Sequence, residues 1–358
     1  MFSSIYNGPR VLKELKPAFN NPRNSEGDFI KLRRGILYIY SYFIGDSSSD
    51  FGVSRLKGII SQDNGENWSD IPDSILSCNL TGSLMSVSLL RLNNGDIALF
   101  YLNKKDNISC IPYLSISTDD GDSWEKPKPC IEDRIGYFVL NNNRVIKLSS
   151  GRMIMPVALH NPDNTTVSYY DKIFNDISEI YCYYSDNDGR SWTCGKKVTV
   201  PEGVLVQEPG VIELKGKELM IYMRTDEGCQ YQAFSKDSGV SWTIAEPSII
   251  KSPLSSASIT RIPQTKDLLM VWNNNEDKGQ MYDGNRSPLC LAISKNEGKS
   301  WQNVKTLEEN LDKWFCYTAI CFLNDNEILL SYCAGGKGLG TGMSTTKIVK
   351  IGTNWIYK

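Results

Sequence analysis

The stretch Ser61-Gln-Asp63-Asn-Gly65-Glu-Asn-Trp68 recurs four more times, in altered form, along this chain of 358 residues. Every copy follows the pattern Ser-x-Asp/Asn-x-Gly-x-x-Trp, and the copies begin at Ser61, Ser117, Ser185, Ser235 and Ser294. Successive copies stand roughly 50 to 70 residues apart, and self-similarity at such a period is typical of repeat architectures. The chain therefore divides into units of about this length.

The repeated stretch has the chemistry of a tight turn. An Asp or Asn beside Gly can hydrogen-bond its own backbone and allows a positive φ, and the Trp that follows supplies a large apolar anchor. We predict that each copy is a hairpin turn whose Trp is largely buried at an equivalent position of its unit. The tryptophans concerned are Trp68, Trp124, Trp192, Trp242 and Trp301.

A second repeat indicates the number of units. Each unit contains an apolar strand, a turn rich in Gly, Asn or Asp, and a second apolar strand. These hairpins are predicted at residues 31–43, 91–101, 147–159, 213–223, 261–272 and 321–332. No long amphipathic helix competes with them. We therefore predict an all-β fold, a six-bladed β-propeller, with residues 1–358 forming one domain.

Composition limits the partners and the location. The net charge of −2 and the pI near 5.7 provide no basic field, so nucleic acid is not an expected partner. No apolar run is long enough to cross a bilayer, and residues 1–24 lack the apolar segment of a signal peptide. We expect a cytoplasmic protein with buried thiols, in which Cys182 and Cys194 are the local pair to check for a disulfide.

The single histidine, His160, excludes several classes of mechanism. A His-rich zinc site cannot be built, and a Ser-His-Asp triad would depend on this one residue. No Gly-rich phosphate loop joins a strand to a helix. We therefore expect neither a metal nor a cofactor. Two placements of His160 stay open: the wall of a pocket, or a partly exposed loop, which the usual intermediate burial of histidine favours.

Propeller geometry brings certain polar residues to one central mouth. The first strand of each unit leaves this face and the second strand returns to it. Arg23, Glu208 and Tyr317 are expected just before first strands, and three others at or after the ends of second strands. The six residues predicted to converge are Arg23, Asp50, Glu208, Arg224, Arg286 and Tyr317.

With these residues in place, the chain resembles the sialidase (neuraminidase) superfamily over nearly its whole length. The five turns are similar to the Asp boxes, or BNR repeats, of bacterial exo-α-sialidases, and the six residues stand in the chain order of that family's catalytic set. Glu208-Pro-Gly-Val-Ile-Glu-Leu214 is similar to the family's glutamate strand, and Tyr317 leads into Leu329-Leu-Ser-Tyr332.

The resemblance implies a retaining exo-α-sialidase that releases terminal sialic acid from glycoconjugates. Its catalytic residues would be Tyr317 as the nucleophile, Glu208 as the base for the tyrosine and Asp50 as the acid and base at the leaving oxygen. Asp46 lies in the same loop and is the alternative to Asp50. The linkage cleaved, and hydrolysis as against transfer or an anhydro product, would depend on loops such as residues 101–111 and 160–176.

The chemistry of the set is consistent with a sugar acid as substrate. A 2-keto sugar acid has a carboxylate on its anomeric carbon, which Arg23, Arg224 and Arg286 can grip through charge-assisted hydrogen bonds. A carboxylate nucleophile would be repelled there, whereas a neutral tyrosine is not, and sialidases use tyrosine in this role. Because the ordinary pKa of tyrosine is ~10, the hydroxyl needs a neighbouring base to accept its proton.

Two other functions stay open, and two residues depart from the family pattern. The same site could cleave another ulosonic or nonulosonic acid, or the propeller could bind glycans without catalysis. Arg23 lacks the Arg-Ile-Pro sequence of the family, which occurs instead at Arg261 in another unit. The glutamate that braces an arginine is replaced by Cys333, and Glu26 is expected to take over this role.

Overall fold

The computed structural model describes residues 8–160, 177–276, 286–336, 338 and 341–358 of the chain. In these residues the fold is all-β, with propeller-like sheets built from 25 strands, and its two helices are only four and five residues long. No helix among the described residues is long and apolar enough to span a membrane.

The strands pair mostly with their neighbours in sequence, which gives five sheets in the part of the chain that the structure describes. The first strand of the described residues, β1 (Arg10–Leu15), belongs to the last sheet. The first complete sheet contains β2 (Asn24–Leu32), β3 (Gly35–Ile44), β4 (Val53–Ser61) and β5 (Ser69–Asp70), followed by α1 (Asp73–Leu76).

The second sheet has nine strands, in two antiparallel sets. One set contains β6 (Ser83–Arg91), β7 (Ile97–Lys104), β8 (Cys110–Ser117) and β9 (Lys128–Pro129). The other contains β10 (Tyr137–Val139), β11 (Ile146–Lys147), β12 (Met153–His160), β13 (Ser178–Ser185) and β14 (Thr193–Cys194). The two sets meet at a single parallel pair, Tyr137 with Cys110.

The remaining sheets have four strands each. The third contains β15 (Val206–Glu213), β16 (Leu219–Thr225), β17 (Cys229–Ser235) and β18 (Glu246–Lys251). The fourth contains β19 (Ser258–Arg261), β20 (Leu268–Asn273), β21 (Leu289–Ser294) and β22 (Gln302–Glu308). The last contains β23 (Cys316–Phe322), β24 (Glu327–Cys333) and β25 (Thr346–Gly352), then α2 (Thr353–Tyr357). Because β1 pairs with β25, the first and last strands of the described residues share this sheet.

The structure confirms the six predicted hairpins as antiparallel pairs. The five repeated turns occupy equivalent positions in their units. The serine of each turn is the last residue of the third strand of its unit, which is β4, β8, β13, β17 or β21. In the first turn, the Gly65 N–H donates to Ser61 Oγ at 2.8 Å, and Ser61 Oγ–H donates to Asp63 Oδ1 at 2.9 Å. Asn64 and Gly65 both take positive φ, 56° and 87°.

Two predictions about side chains can be compared with the structure. The box tryptophans were expected to be largely buried at equivalent positions, and each has intermediate exposure, with its ring over the turn and packed against one of five separate core clusters. They are Trp68, Trp124, Trp192, Trp242 and Trp301. The expectation of free thiols is confirmed: all ten cysteines are free and six of them are buried, so the pair to check, Cys182 and Cys194, forms no disulfide.

Polar side chains from the third unit tie the units together near the axis. Asn142 Nδ2 donates to the carbonyl oxygens of Gly27 at 2.9 Å and Tyr317 at 3.0 Å. Arg144 donates to the Ala257 carbonyl at 2.6 Å. Since buried polar groups are costly when unpaired, these bonds fix the positions of first strands relative to one another.

We expect Ser235→Ala to destabilise the protein. Ser235 Oγ is buried, accepts from the Gly239 N–H at 2.9 Å and donates to Asp237 Oδ1 at 2.8 Å, so its loss leaves a turn amide without its partner. The expected loss is about 1–3 kcal/mol in urea unfolding. The exposed Ser74→Ala should unfold like the parent protein. Equal stability of all three proteins would contradict this account of the turn.

Candidate active site

A cavity of about 190 Å³ lies at the mouth of the sheets and contains most of the ionisable residues predicted from the sequence. Its wall includes Asp50, Glu208, Arg224, Arg286 and Tyr317. A larger cavity of about 410 Å³ lies beside α1, but its charged residues, Glu125 and Lys126, are exposed. The smaller cavity is therefore the candidate active site, because buried charged groups converge there.

A repeated bulge in the first strands turns side chains into this cavity. In β2, β6, β15 and β23 the pairing register shifts at one point, and one residue there takes a left-handed conformation with φ between 49° and 58°. These residues are Glu26, Ser86, Glu208 and Tyr317, and all four line the cavity. Glu208 and Tyr317 were predicted to precede their strands, which is wrong: both lie inside them, at the bulge.

Arg23 lies directly before β2 and is completely buried. Its Nη2 donates to Glu26 Oε2 at 2.8 Å and its Nη1 to Asp50 Oδ1 at 2.6 Å. The guanidinium also lies 4.4 Å from the centre of the Phe43 ring. Arg23 is thus held between two carboxylates, and the contact expected between Glu26 and Arg23 is present.

Asp50 lies in the loop between β3 and β4, with about half of its side chain exposed (54%). Although the partial burial of Asp50 would raise its pKa, the charges of Arg23, Lys104 and Arg286 outweigh this and lower the pKa below its ordinary value. Lys104, at the end of β7, donates from Nζ to the Asp50 carbonyl at 2.7 Å and covers the Phe51 ring at 3.5 Å. Asp46 is exposed and is not part of the cavity wall.

Glu208, Arg224 and Tyr317 form a buried chain of polar contacts. The Tyr317 hydroxyl donates to Glu208 Oε1 at 2.7 Å. The other carboxylate oxygen, Oε2, lies 2.9 Å from Arg224 Nη1 as an ion pair. Arg224 stands near the end of β16, directly opposite Gln207 of β15. Because Glu208 follows Gln207, the pairing of β15 with β16 places Glu208 beside Arg224.

The charges around this chain set the protonation of its members. Burial alone would raise the pKa of Glu208, but the charges of Arg224 and Arg286 outweigh it and lower this pKa to about 2. Burial and the charge of Glu208 raise the pKa of Tyr317 well above its ordinary value. At neutral pH the proton therefore stays on Tyr317, and Glu208 is ionised.

Arg286 reaches the cavity from the segment between β20 and β21 and is buried. Its guanidinium lies 4.9 Å from the Trp314 ring centre and 5.3 Å from that of Tyr317. Its Nη1 donates to the sulfur of Cys316 at 3.2 Å. All six residues predicted from the sequence are thus brought together around one cavity, with Arg23 directly behind its wall.

His160 differs from the favoured expectation of a partly exposed loop residue. It is the last residue of β12, is buried, and lines the cavity with its ring edge-on to Tyr137 at 6.2 Å. Strand β12 runs into the mouth, so its terminal side chain is covered by the neighbouring strands. The loop at residues 160–176 lies, apart from His160, outside the described residues.

The structure also shows where the Arg-Ile-Pro sequence of the family pattern lies in this chain. Arg261, in the Arg-Ile-Pro sequence, pairs with Glu297 of a box turn at 2.6 Å and does not line the cavity. Sequence reasoning missed Ser86 and Lys104. Ser86 could have been found, because Glu26, Ser86, Glu208 and Tyr317 each stand six residues before the leucine that closes the first strand. These leucines are Leu32, Leu92, Leu214 and Leu323.

The chain belongs to the sialidase/BNR-repeat superfamily. Residues 60–330 match the family model described as a BNR repeat-like domain. The described residues contain no group of three or more His, Cys, Asp or Glu side chains that could hold a metal ion.

Curated relatives cover only part of the chain. It is 23% identical over an alignment of 245 positions to a sialidase of Paraclostridium sordellii, and the match covers 60% of this chain and 56% of the relative. It is 29% identical over 138 residues to human sialidase-4, covering 36% of this chain and 28% of the relative. The match therefore spans about half of the first relative and less than a third of the second.

Solved structures establish the fold. A Dyadobacter fermentans protein of unknown function superposes with a TM-score of 0.72 at 20% identity, covering 96% of this chain and 99% of its own. Trypanosoma rangeli sialidase, solved in complex with sialic acid, superposes with a TM-score of 0.66 at 17% identity, covering 92% of this chain and 54% of its own. At these identities the likeness extends to the sialidase-like architecture.

We expect Glu208→Gln to flatten the acid side of the stability curve. Because the pKa of Glu208 is lowered in the folded state, its ionisation stabilises the fold above pH ~4.5, and this stabilisation is lost as the pH falls towards 2. The lowering corresponds to roughly 3 kcal/mol. Urea unfolding over a series of acidic pH values should show this dependence in the parent protein and in the exposed control Glu202→Gln. An unchanged pH dependence in Glu208→Gln would contradict the assignment.

Proposed function

We propose that this protein is a retaining exo-α-sialidase that releases a terminal sialic acid from glycoconjugates. The observation that carries the proposal is the hydrogen bond of 2.7 Å between Tyr317 and Glu208, in a cavity surrounded by three buried arginines. A neutral tyrosine beside an ionised glutamate is a nucleophile with its base, and the arginines suit a substrate carboxylate.

The substrate carboxylate would take hydrogen bonds from Arg23, Arg224 and Arg286. Arg224 Nε is buried and has no hydrogen-bond partner among the described residues, which leaves a donor for a ligand. Arginine rather than lysine fits this role, because its planar fork can bind both carboxylate oxygens. This step orients the anomeric carbon towards Tyr317.

Substrate binding would also change the basicity of Glu208. In the structure the charges of Arg224 and Arg286 lower the pKa of Glu208. A bound carboxylate partly neutralises those charges, so the pKa of Glu208 rises and the glutamate becomes a stronger base. Glu208 would then take the proton as the Tyr317 oxygen attacks the anomeric carbon.

Asp50 would donate a proton to the leaving oxygen and later accept one from water. Its carboxylate is half exposed at the cavity, where an alcohol leaving group can approach. The lowered pKa of Asp50 means that its protonated form is favoured at acid pH. We therefore infer an acidic optimum for catalytic efficiency.

We further propose that residues 1–358 form one catalytic propeller with six blades. This count treats β6–β9 and β10–β14 as separate blades, since a single pair of residues joins the two sets. The supporting pattern is the six hairpins together with β1, which supplies the outer strand of the last sheet.

The proposed function is tested by incubating the protein with a panel of α-linked glycosides of N-acetylneuraminic acid and of other nonulosonic and ulosonic acids. Release of free sialic acid supports the proposal. Release of a different acid alone would indicate the alternative function, in which the same site cleaves glycosides of that acid. Binding without release of any acid would leave a glycan-binding propeller and overturn the enzyme assignment.

We expect Tyr317→Phe to lose turnover by orders of magnitude while it folds normally, because only the attacking oxygen is removed. A 2,3-difluorinated sialic acid, the compound seen as a covalent intermediate on Trypanosoma rangeli sialidase, should label the peptide that contains Tyr317. The matched control Tyr113→Phe should remain active and be labelled. Labelling of another residue would mean that the nucleophile is misplaced.

We also expect Lys104 to position the loop that carries Asp50. Lys104→Met removes the hydrogen bond to the Asp50 carbonyl and should lower kcat about ten- to a hundredfold, with a smaller effect on KM. Removing the charge raises the pKa of Asp50, so the alkaline limb of kcat/KM should move to higher pH. Lys104→Arg should largely restore both. An unchanged pH profile in Lys104→Met, matching the exposed control Lys105→Met, would contradict this role.

A further inference from the structure

Two cysteines lie directly behind Tyr317. Cys316 precedes it on β23, and Cys333, at the end of β24, is the residue paired with Cys316 in the antiparallel ladder. Both side chains are buried. Residues opposite each other in such a ladder have Cα atoms roughly 4.5–5.5 Å apart, and a disulfide spans about 4.4–6.8 Å. The backbone therefore already holds the pair at bonding distance.

Arg286 distinguishes the two sulfurs. It donates from Nη1 to Cys316 Sγ at 3.2 Å. Burial alone would raise the pKa of Cys316, but the hydrogen bond from Cys333 and the charge of Arg286 lower it. Cys333 donates that hydrogen bond and is buried, so its pKa is raised. A thiolate is favoured at Cys316, and Cys333 keeps its proton.

The cysteine pair predicted from the sequence lacks this arrangement. Cys194 stands opposite Tyr183, so Cys182, one residue away along β13, points to the other face of the sheet. Burial raises the pKa of Cys182, and no arginine is among the groups that shift it. Cys182 is therefore an internal control for the reactivity of a buried thiol.

The Cys316–Cys333 pair is one layer of side chains away from the cavity. Arg286 and Tyr317 line the cavity, and the first contacts Cys316 while the second follows it in sequence. Met343, which packs in the same apolar cluster as both cysteines, also lines the cavity. A small oxidant that enters the mouth has only this layer to pass.

We propose that Cys316 and Cys333 form an oxidation site for small hydroperoxides, where the two thiols are converted to a cross-strand disulfide. The Cys316 thiolate attacks the peroxide; an S–O bond forms, the O–O bond breaks, and the departing oxygen takes a proton and leaves as water or an alcohol. The Cys333 sulfur then attacks the sulfenic sulfur; the S–S bond forms, and the oxygen leaves as water with the Cys333 proton. The two sulfurs lose two electrons, which the peroxide gains.

The oxidised pair would act on the proposed active site through two neighbours. Arg286 would lose the thiolate that it contacts, and the strand bulge carrying Tyr317 would be linked covalently to β24. If the proposed glycosidase function is right, oxidation should lower its catalytic efficiency reversibly. The oxidation site itself does not depend on that function.

The test is to treat the reduced protein with hydrogen peroxide, block the remaining thiols under denaturing conditions and map the peptides. We expect a peptide in which Cys316 is linked to Cys333, with the loss of two hydrogens and reversal by dithiothreitol. Cys182 should remain available for alkylation, and Cys182→Ser should oxidise like the parent protein. Absence of the linked peptide, or equal oxidation of Cys182, would overturn the proposal.

The two single variants identify the attacking sulfur. In Cys333→Ser, Cys316 should stop at the sulfenic acid and be labelled by a 1,3-dione reagent. In Cys316→Ser, Cys333 should stay unlabelled. The reverse pattern would contradict the assignment of the thiolate to Cys316. Because the readout in the parent protein is a mass rather than an activity, failure here is distinguishable from failure of the proposed function.

Discussion

The candidate site depends on one backbone constraint, the left-handed residue at the bulge of a first strand. This conformation costs a side-chain-bearing residue roughly 1–2 kcal/mol, and the structure holds it at Glu26, Ser86, Glu208 and Tyr317. In two units the next glycine is Gly27 or Gly210, where an added Cβ would lie 2.3 Å from a ring atom of Tyr38 or Tyr222. The ring of Tyr38 or Tyr222 therefore allows only glycine at position 27 or 210. The left-handed residue close to each glycine, Glu26 or Glu208, faces the cavity.

The charges of the site are balanced by partners within the chain. Arg23 contacts Glu26 and Asp50, Arg224 contacts Glu208, and Arg286 contacts the sulfur of Cys316. Apart from Arg224 Nε, which has no partner among the described residues, the donors that an incoming carboxylate would use are already engaged. Under the proposed function, Asp50 would be the partner to give way, because it is the exposed member and lies on a loop, whereas Glu26 and Glu208 are held in strands. Release of Asp50 from Arg23 would also raise its pKa, as a proton donor requires.

The repeated parts of the fold could be predicted from the sequence, because their chemistry is local. The Ser-x-Asp/Asn-x-Gly-x-x-Trp turn contains its own hydrogen bonds, and the strands on either side follow from apolar patterning. The six polar residues were also recognised, through their order along the chain. Their positions within the strands could not be predicted, since a bulge in β15 or β23 depends on pairing with another strand. The burial of His160 could not be predicted either, because it depends on neighbouring units.

The replacement of the family's bracing glutamate by Cys333 is consistent with the position of Glu26. Glu26 already supplies the buried carboxylate beside Arg23, and burial together with the charge of Asp50 raises its pKa despite the arginine. A glutamate in place of Cys333, whose side chain also influences Arg23, would add a third carboxylate around one guanidinium. A thiol that keeps its proton adds no such charge. With Glu26 at the bulge of β2 as the carboxylate beside Arg23, the end of β24 can hold a sulfur opposite Cys316.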